Sequence, residues 1–280
     1  MCDTKLKLLE QHCTNLESIE LKVTKENING VKSLLTKVRS LISINLETEQ
    51  EVENHVGIVE LLKLQPGLRS LKLNNFWGDE LFKVRNLVDL EELKIINRWD
   101  DILNIHELCY PLKKLRKLKM ICMAFTASEE FEGAPCPALR ELHLLVWDYL
   151  FLKTQCLSTP ACLKWIQSHG EILEVLVLDL NFALCKKDVV SQQDICKILS
   201  ECRKLRSFHM ELLAMDSDIA HRIVKIVSEN GVTSEERPLE LYFHDNEVHD
   251  QIKAAMANTS AKNIFTFKDT LLCILKKLKK

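Results

Sequence analysis

The densest group of potential metal ligands lies in HDNEVHD, from His244 to Asp250, where two histidines stand five residues apart among three acids. Imidazole and carboxylate groups bind zinc when further ligands complete the site. The pattern of this sequence positions no further ligand, so a solvated loop that begins a helix is the better interpretation. We therefore expect neither a metal ion nor another cofactor.

Cysteines are also potential ligands or disulfide partners, and the chain has 11 of them. No Cys-x-x-Cys occurs, so the spacing of a zinc knuckle is missing. Cys13, Cys136 and Cys202 each stand three residues before the first leucine of a repeated pattern. Other copies of the pattern have an aliphatic residue at this position, namely Val38, Leu87 and Leu112. We therefore predict reduced cysteines that are buried as small hydrophobic residues.

Catalytic motifs are missing from the sequence. It contains no phosphate-binding loop, no dinucleotide-binding glycine pattern and no Gly-x-Ser-x-Gly turn. We therefore predict that the protein is not an enzyme and that any function lies in binding.

The element that would position binding residues is a repeat, of which QPGLRSLKLNN, residues 65–75, is one copy. Leu71 and Leu73 are two apart and share one face of a strand, whereas a helix would turn Leu73 far from Leu68 and Leu71. The other copies are CTNLESIEL, VRSLISINL, LVDLEELKI, LKKLRKLKM, CPALRELHL, GEILEVLVL and CRKLRSFHM. Their first leucines are 22 to 27 residues apart, followed by two spacings of 34 and 32. This periodicity is that of leucine-rich repeats.

Helical spacing of apolar residues separates these strands, as in EVENHVGIVELLKL, DVVSQQDICKILS and SDIAHRIVKIVS, and FWGDELFKVRN is long enough for one or two helical turns. The sequence thus predicts an α/β leucine-rich-repeat solenoid, a curved horseshoe with parallel strands on the concave face and helices on the convex face. We expect one domain over residues 1–280 with eight to nine repeats, the ninth strand lying in PLELYFH, residues 238–244, in ambiguous phase. Residues 262–280 are predicted to form a C-terminal capping helix, with membrane contact of this basic amphipathic segment as the alternative.

The segments LLEQHCTNLESIEL, ELLKLQPGLRSLKL and ILSECRKLRSFHM resemble repeat units of F-box/leucine-rich-repeat proteins, in which a helix ends just before a Cys-x-x-Leu or Pro-x-Leu start of a strand. The resemblance implies substrate recognition for a Skp-cullin-F-box ubiquitin ligase. No F-box is visible, because the first repeat begins by Cys13, so contact with a Skp-type adaptor would require an F-box outside this chain. The alternative is a stand-alone scaffold or inhibitor that binds a protein partner.

One position departs from that family. The third residue after the last apolar strand residue is often Asn or Cys there, whereas only Asn181 fits here. We therefore expect the buried asparagine ladder to be largely absent.

The charge balance and hydropathy set limits on the partner and the compartment. The formal net charge is −2, which does not favour nucleic acid or an anionic membrane. The N-terminal residues MCDTKLKLLE lack the apolar core of a signal peptide, and no apolar run of 18 residues exists. We expect a cytoplasmic or nuclear protein.

Strand alternation assigns the residues of the concave face. The predicted partner-binding positions are Lys72, Lys94, Lys117, Lys119, His143, Val175, Val177 and His209. The lysines, with Arg69, Arg116 and Arg140 beside them, would form a basic patch that suits an acidic protein partner with an apolar anchor. The alternative is that the lysines only keep an exposed sheet soluble. Trp147 and Tyr149, in the first enlarged repeat, are predicted rim anchors or else core residues of that repeat.

Replacing Leu71 with Asp is expected to prevent cooperative folding, because it buries an unpaired charge between strands. The neighbouring substitution Ser70→Asp, on the predicted outer face, should leave a cooperative thermal transition. Circular dichroism monitors the thermal transition of each variant. A cooperative transition of Leu71→Asp at the melting temperature of the parent protein would contradict the strand assignment.

Overall fold

The computed structural model describes residues 3–13, 15–49, 57–97, 102–122, 124–127, 133–146, 159–180, 191–210, 215–230, 238–243, 246–257 and 264–267. Its contacts divide the chain into two compact units. Unit 1 comprises Met1–Leu139 with Leu152–Ser158, and unit 2 comprises Arg140–Phe151 with Thr159–Lys280. The prediction of a single domain stays a prediction.

Unit 1 contains a parallel sheet whose strands pair in chain order. The strands of unit 1 are β1 (Ser18–Val23), β2 (Ser43–Thr48), β3 (Ser70–Asn74), β4 (Glu92–Ile96), β5 (Ile102–Asn104), β6 (Lys117–Cys122) and β7 (Ala124–Thr126). Strands β1, β2, β3, β4 and β6 pair in that order, and β5 pairs separately with β7, all in parallel. The intervening helices are α1 (Asp3–His12), α2 (Ile28–Lys37), α3 (Ile58–Leu62), α4 (Asp79–Phe82), a 3-10 turn (Lys83–Asn86) and α5 (Ile105–Cys109).

Unit 2 repeats the same arrangement. Its strands are β8 (Glu141–Val146), β9 (Val175–Leu180), β10 (Ser207–Met210), β11 (Leu239–Phe243) and β12 (Phe265–Phe267), and they pair in parallel in this order. Its helices are α6 (Thr159–Gln167), α7 (Gln192–Glu201), α8 (Ser217–Glu229) and α9 (Asn246–Ala257). The predicted fold class, α/β with parallel strands alternating with helices in leucine-rich repeats, is therefore confirmed.

The core consists of the repeated apolar positions. The three repeated apolar residues of each copy are buried, except Leu16 of the first copy, which is half-buried. Cys136 and Cys202 are buried at the position that Val38 and Leu87 fill elsewhere. Burial raises the pKa of the Cys202 thiol to about 12, so this cysteine is an uncharged core residue. The thiols described are free.

Helix boundaries follow local capping chemistry. Helix α7 begins with a capping box in which the Ser191 side chain accepts from the Asp194 N–H and Asp194 accepts from the Ser191 N–H. Asp216 occupies the corresponding position before α8, although its side chain makes no capping hydrogen bond. Both helices turn their aliphatic faces inward, with Ile195, Ile198 and Val227 buried. Among the helices described, none is long and apolar enough to cross a membrane.

The C-terminal repeats clarify the ambiguous phase of the ninth strand. In β11, Leu241 pairs with Phe208 and Phe243 with Met210, so Pro238 stands where other repeats have their first leucine. Strand β12 is a further rung that the sequence interpretation missed, although Ile264 and Phe267 repeat the same spacing of three. The predicted capping helix, 262–280, lies outside the described residues except for 264–267, which include β12.

A buried polar ladder closes the strand ends in unit 1. Its members stand two residues after the last apolar core residue of each strand: Thr48, Asn75 and Asn97. The Asn75 side-chain amide donates to the Thr48 carbonyl at 3.2 Å, and the Thr48 hydroxyl donates back to the Asn75 carbonyl. The backbone N–H groups of Asn75 and Asn97 donate to Ile96 and Ile121 at 2.8 and 2.7 Å.

The expectation of a largely absent asparagine ladder rested on the third residue after the last apolar strand residue. Two buried asparagines stand one residue earlier, at Asn75 and Asn97, because the chain turns directly after β3 and β4. Asn75 makes this turn at a φ of 60°, in the left-handed region that asparagine tolerates better than most residues. Repeat spacing alone does not reveal such an early turn.

Asn75→Ala is expected to lower the free energy of unfolding by about 1–3 kcal/mol, because it removes the bond to Thr48 and the asparagine preference for positive φ. Urea unfolding measures the change. Asn45→Ala, on the outer face of β2, is the matched control and should stay within about 0.5 kcal/mol of the parent. Equal losses in both variants would contradict the ladder.

Candidate functional site

Along each strand of the unit 1 sheet, the residues that alternate with the buried leucines form the opposite face, which is termed the open face. Register across β3, β4 and β6 aligns Lys72 with Lys94 and Lys94 with Lys119. These three residues are called the lysine row. Lys117 lies diagonally to Lys94, because it pairs with Glu92 two residues earlier in β4. The predicted adjacency of the lysines is thus present in the structure.

The lysine row has an acidic start and an apolar flank. Further along the same line of side chains, β1 contributes Glu20 and β2 contributes Asn45. On the other side, Ile96 and Ile121 follow the lysines of β4 and β6 and pair with each other. The open face therefore changes from mixed polar at β1 to basic with an apolar border at β4 and β6.

Lys94 is the electrostatic centre of the row. The pKa of its ammonium group is lowered from 10.5 to about 8, first by burial and then by the neighbouring positive charges of Lys119, Lys72 and Lys117. Neither Lys72 nor Lys94 forms an ion pair with any residue that the structure describes. Among the described residues, no ion pair of Lys94 offsets the repulsion from these like charges.

The arginines expected to extend this basic patch are instead paired with glutamates. Glu91 lies between Arg69, at 2.6 Å, and Arg116, at 3.8 Å. In unit 2, Glu174 lies between Arg140, at 3.9 Å, and Arg206, at 3.5 Å. Each arginine follows the first leucine of its repeat, at the start of a strand, and each pair of arginines shares one glutamate from the strand between them, which offsets half of the pair's charge. The lysines therefore contribute the larger part of the positive charge on the open face.

Exposure of the predicted positions is lower than expected. Lys72, Lys94, Lys117 and Val175 are half-buried. The remaining described positions are buried, with exposed fractions of 8% for Lys119, 5% for His143, 8% for Val177 and 8% for His209. The expectation of an exposed row is wrong for these four, because strands only about 4.8 Å apart place a neighbouring side chain on either side of each residue.

The unit 2 face carries an aromatic and histidine row instead of lysines. His143, Val177, His209 and Tyr242 are aligned in register across β8 to β11. The His143 Nε2 atom lies 2.6 Å from a Glu141 carboxylate oxygen, and the rings of His209 and Tyr242 are 5.8 Å apart. Tyr242 was missed because the phase of β11 was ambiguous, although the alternation in LELYF carries the signal. This packed row is less suited than the lysine row to hold a charged partner.

The other candidate residues do not join a site. Trp147 and Tyr149 lie outside the described residues. Trp165, in the same enlarged repeat, is completely buried in α6, and its ring centroid lies 4.2 Å from that of the tilted His169 ring. His249 is buried within α9, and His244 lies outside the described residues. The described residues include no group of three His, Cys, Asp or Glu side chains that would hold a metal ion.

Comparisons with known proteins find similarity among solved structures and none among family models or curated proteins. No family model and no curated protein matches the sequence. Among solved structures, the chain is similar to a leucine-rich-repeat protein of Leptospira interrogans, with a TM-score of 0.49 and 16% sequence identity. The match covers 97% of this chain, which spans 60% of the length of that protein's chain.

Lys94 is expected to make stability depend on pH in the alkaline range. Its pKa is about 8 when folded and near 10.5 when unfolded, so the unfolded chain binds more protons between these values. The cost of charged Lys94 is complete below pH 8 and falls as the pH rises toward 10. Lys94→Met should therefore be more stable than the parent at pH 7, with an advantage that shrinks from pH 8 to pH 10. Urea unfolding of both proteins from pH 7 to pH 10 measures the difference in their free energies of unfolding. A difference that does not change with pH would contradict the lowered pKa.

Proposed function

We propose that the chain is a protein-interaction module that captures an acidic segment of its partner on the lysine row. The observation that carries the proposal is the alignment of Lys72, Lys94 and Lys119 in neighbouring strands of the same face. A carboxylate-rich segment supplies negative charge directly over Lys72 and Lys94, whereas Glu47 and Glu92 of the described residues lie diagonally to the row and form no ion pair with these two lysines. Such complementarity accelerates encounter and selects the partner.

The apolar border supports an orientation for the bound segment. Ile96 is half-buried and lies beside the lysine row on β4. An apolar residue of the partner that packs against Ile96 would contribute affinity, while acidic residues over Lys72 and Lys94 contribute specificity. Glu20 on β1 disfavours extension of the acidic segment over the first strands. The preferred segment therefore crosses β3 to β6.

A finer proposal concerns the purpose of this capture. The resemblance to F-box/leucine-rich-repeat proteins supports a role as a substrate-recognition region of a Skp-cullin-F-box ubiquitin ligase. In support of this resemblance, helix α7 ends at Glu201, directly before the Cys202-x-x-Leu205 start of its strand. The alternative is a stand-alone scaffold or inhibitor. Copurification of a Skp-type adaptor with the protein expressed from its complete coding sequence favours the ligase role, and capture of a partner without the adaptor favours the scaffold.

Replacing Lys72, Lys94 and Lys119 together with Glu is expected to weaken partner capture by at least about tenfold, because the charge of the row is reversed. Affinity purification with quantitative mass spectrometry identifies the partners and measures the loss, which should be larger at low salt.

The matched control is the substitution of Lys5, Lys7 and Lys204 with Glu, which changes the net charge equally on exposed positions outside the row. Partners that the control retains and the row variant loses support the proposal. Equal capture by both variants, with both proteins showing cooperative melting, would contradict it.

A further inference from the structure

The surroundings of Lys94 differ from those of an ordinary surface lysine. On the open face, β3 presents Ser70, Lys72 and Asn74 to it, and β6 presents Lys117, Lys119 and Ile121. Its own strand contributes Glu92 and Ile96. Three lysines and one carboxylate thus share the neighbourhood, and the Lys94 side chain is half-buried among them. Burial and like charges both oppose protonation of its amine.

We propose that Lys94 is a modification site: a nucleophilic amine that is acylated directly by thioester donors near neutral pH. This inference goes beyond the proposed function and does not depend on it, because it concerns the reactivity of one amine. If the proposed function also holds, acylation of Lys94 removes a positive charge from the row and weakens capture of an acidic segment.

Only the unprotonated form of an amine attacks a carbonyl carbon. The surroundings of Lys94 increase the unprotonated fraction of its amine. With a pKa of about 8, about a fifth of the Lys94 amine is unprotonated at pH 7.4, against about one in a thousand at a pKa of 10.4. Lower basicity reduces the reactivity of each free amine, by about tenfold if the coefficient of 0.4–0.5 known for thiols applies. The net advantage over an exposed lysine is therefore roughly twentyfold.

The reaction balances without an oxidant or a metal. The Nζ lone pair attacks the thioester carbonyl carbon, a C–N bond forms, and the C–S bond breaks as the thiolate leaves with its electron pair. The proton of the attacking amine passes to water. The product is a neutral amide, which relieves the repulsion among the lysines and the cost of a half-buried charge.

The class of donor follows from the remaining charges. After Lys94 gives up its proton, Lys72, Lys117 and Lys119 still surround it, and a carrier that bears phosphate groups is attracted to them. Acyl thioesters of coenzyme A combine an acyl group with such a carrier. Their reaction with Lys94 therefore gains from both the free amine and the local concentration of the donor.

The test is incubation of the whole protein with acetyl-coenzyme A at pH 7.0 to 9.5, with initial acetylation rates measured for each lysine by mass spectrometry. Lys204, which is exposed, is the internal reference. At pH 7.4 Lys94 should react roughly twentyfold faster than Lys204. Its rate should level off above about pH 8.5, because most of its amine is then unprotonated. A Lys94 rate equal to or below that of Lys204 at pH 7.4, or a Lys94 rate that still rises steeply above about pH 9, overturns the proposal.

The Lys72→Gln variant separates electrostatics from access. Removing this charge raises the pKa of Lys94, so its rate at pH 7.4 should fall by about twofold while that of Lys204 stays unchanged. If reactivity reflected access alone, the shorter neighbour would leave the Lys94 rate unchanged or raise it, and either result overturns the proposal. The pH profile of the Lys94 acetylation rate in the parent protein tests the proposal even if the variant does not fold.

Discussion

Parallel pairing of neighbouring strands without a register shift is the constraint on which the rest of this structure depends. It places Ile44, Leu71 and Leu93 in one line on the core side of unit 1. The same hydrogen bonds place the open-face residues in lines of their own, since alternate residues point to opposite faces. A shift of one residue in any strand would bury its polar side chains and expose its leucines. Core and binding face are thus fixed by one interaction.

Such alignment also brings like charges together. The leucines of successive repeats benefit from stacking, whereas lysines at equivalent positions repel one another, and the half-buried Lys94 bears the largest part of this cost because it has a lysine on both sides. At the strand starts the outcome differs, because Glu91 lies between Arg69 and Arg116 and reduces their repulsion. The half-buried charge of Lys94, which forms no ion pair with any described residue, is where a ligand or a chemical modification has the most to offer.

Much of the fold was predictable from the sequence because the leucine-rich pattern has only one geometric solution. Spacings of three and two between Leu68, Leu71 and Leu73 require a turn followed by a strand, and repetition requires neighbouring strands to pair. The candidate row was predictable for the same reason, since Lys72 lies between two core leucines. Three features were not predicted: the turn at Asn75, the phase of β11 and the existence of β12. They depend on where a strand stops and not on its hydrophobic pattern.

By itself, the sequence determined the repeat, the strand residues that form the core and the adjacency of Lys72, Lys94 and Lys119. Periodicity carries this information, because side-chain direction in a strand alternates with a period of two. Only the tertiary structure decided that the arginines are paired with Glu91 and Glu174, that His143 and His209 are buried, and that Lys94 is half-buried among other lysines. These properties depend on contacts between residues more than 20 positions apart in the chain and on the burial that those contacts cause. The electrostatic state of a side chain depends on such neighbours and not on its residue type alone.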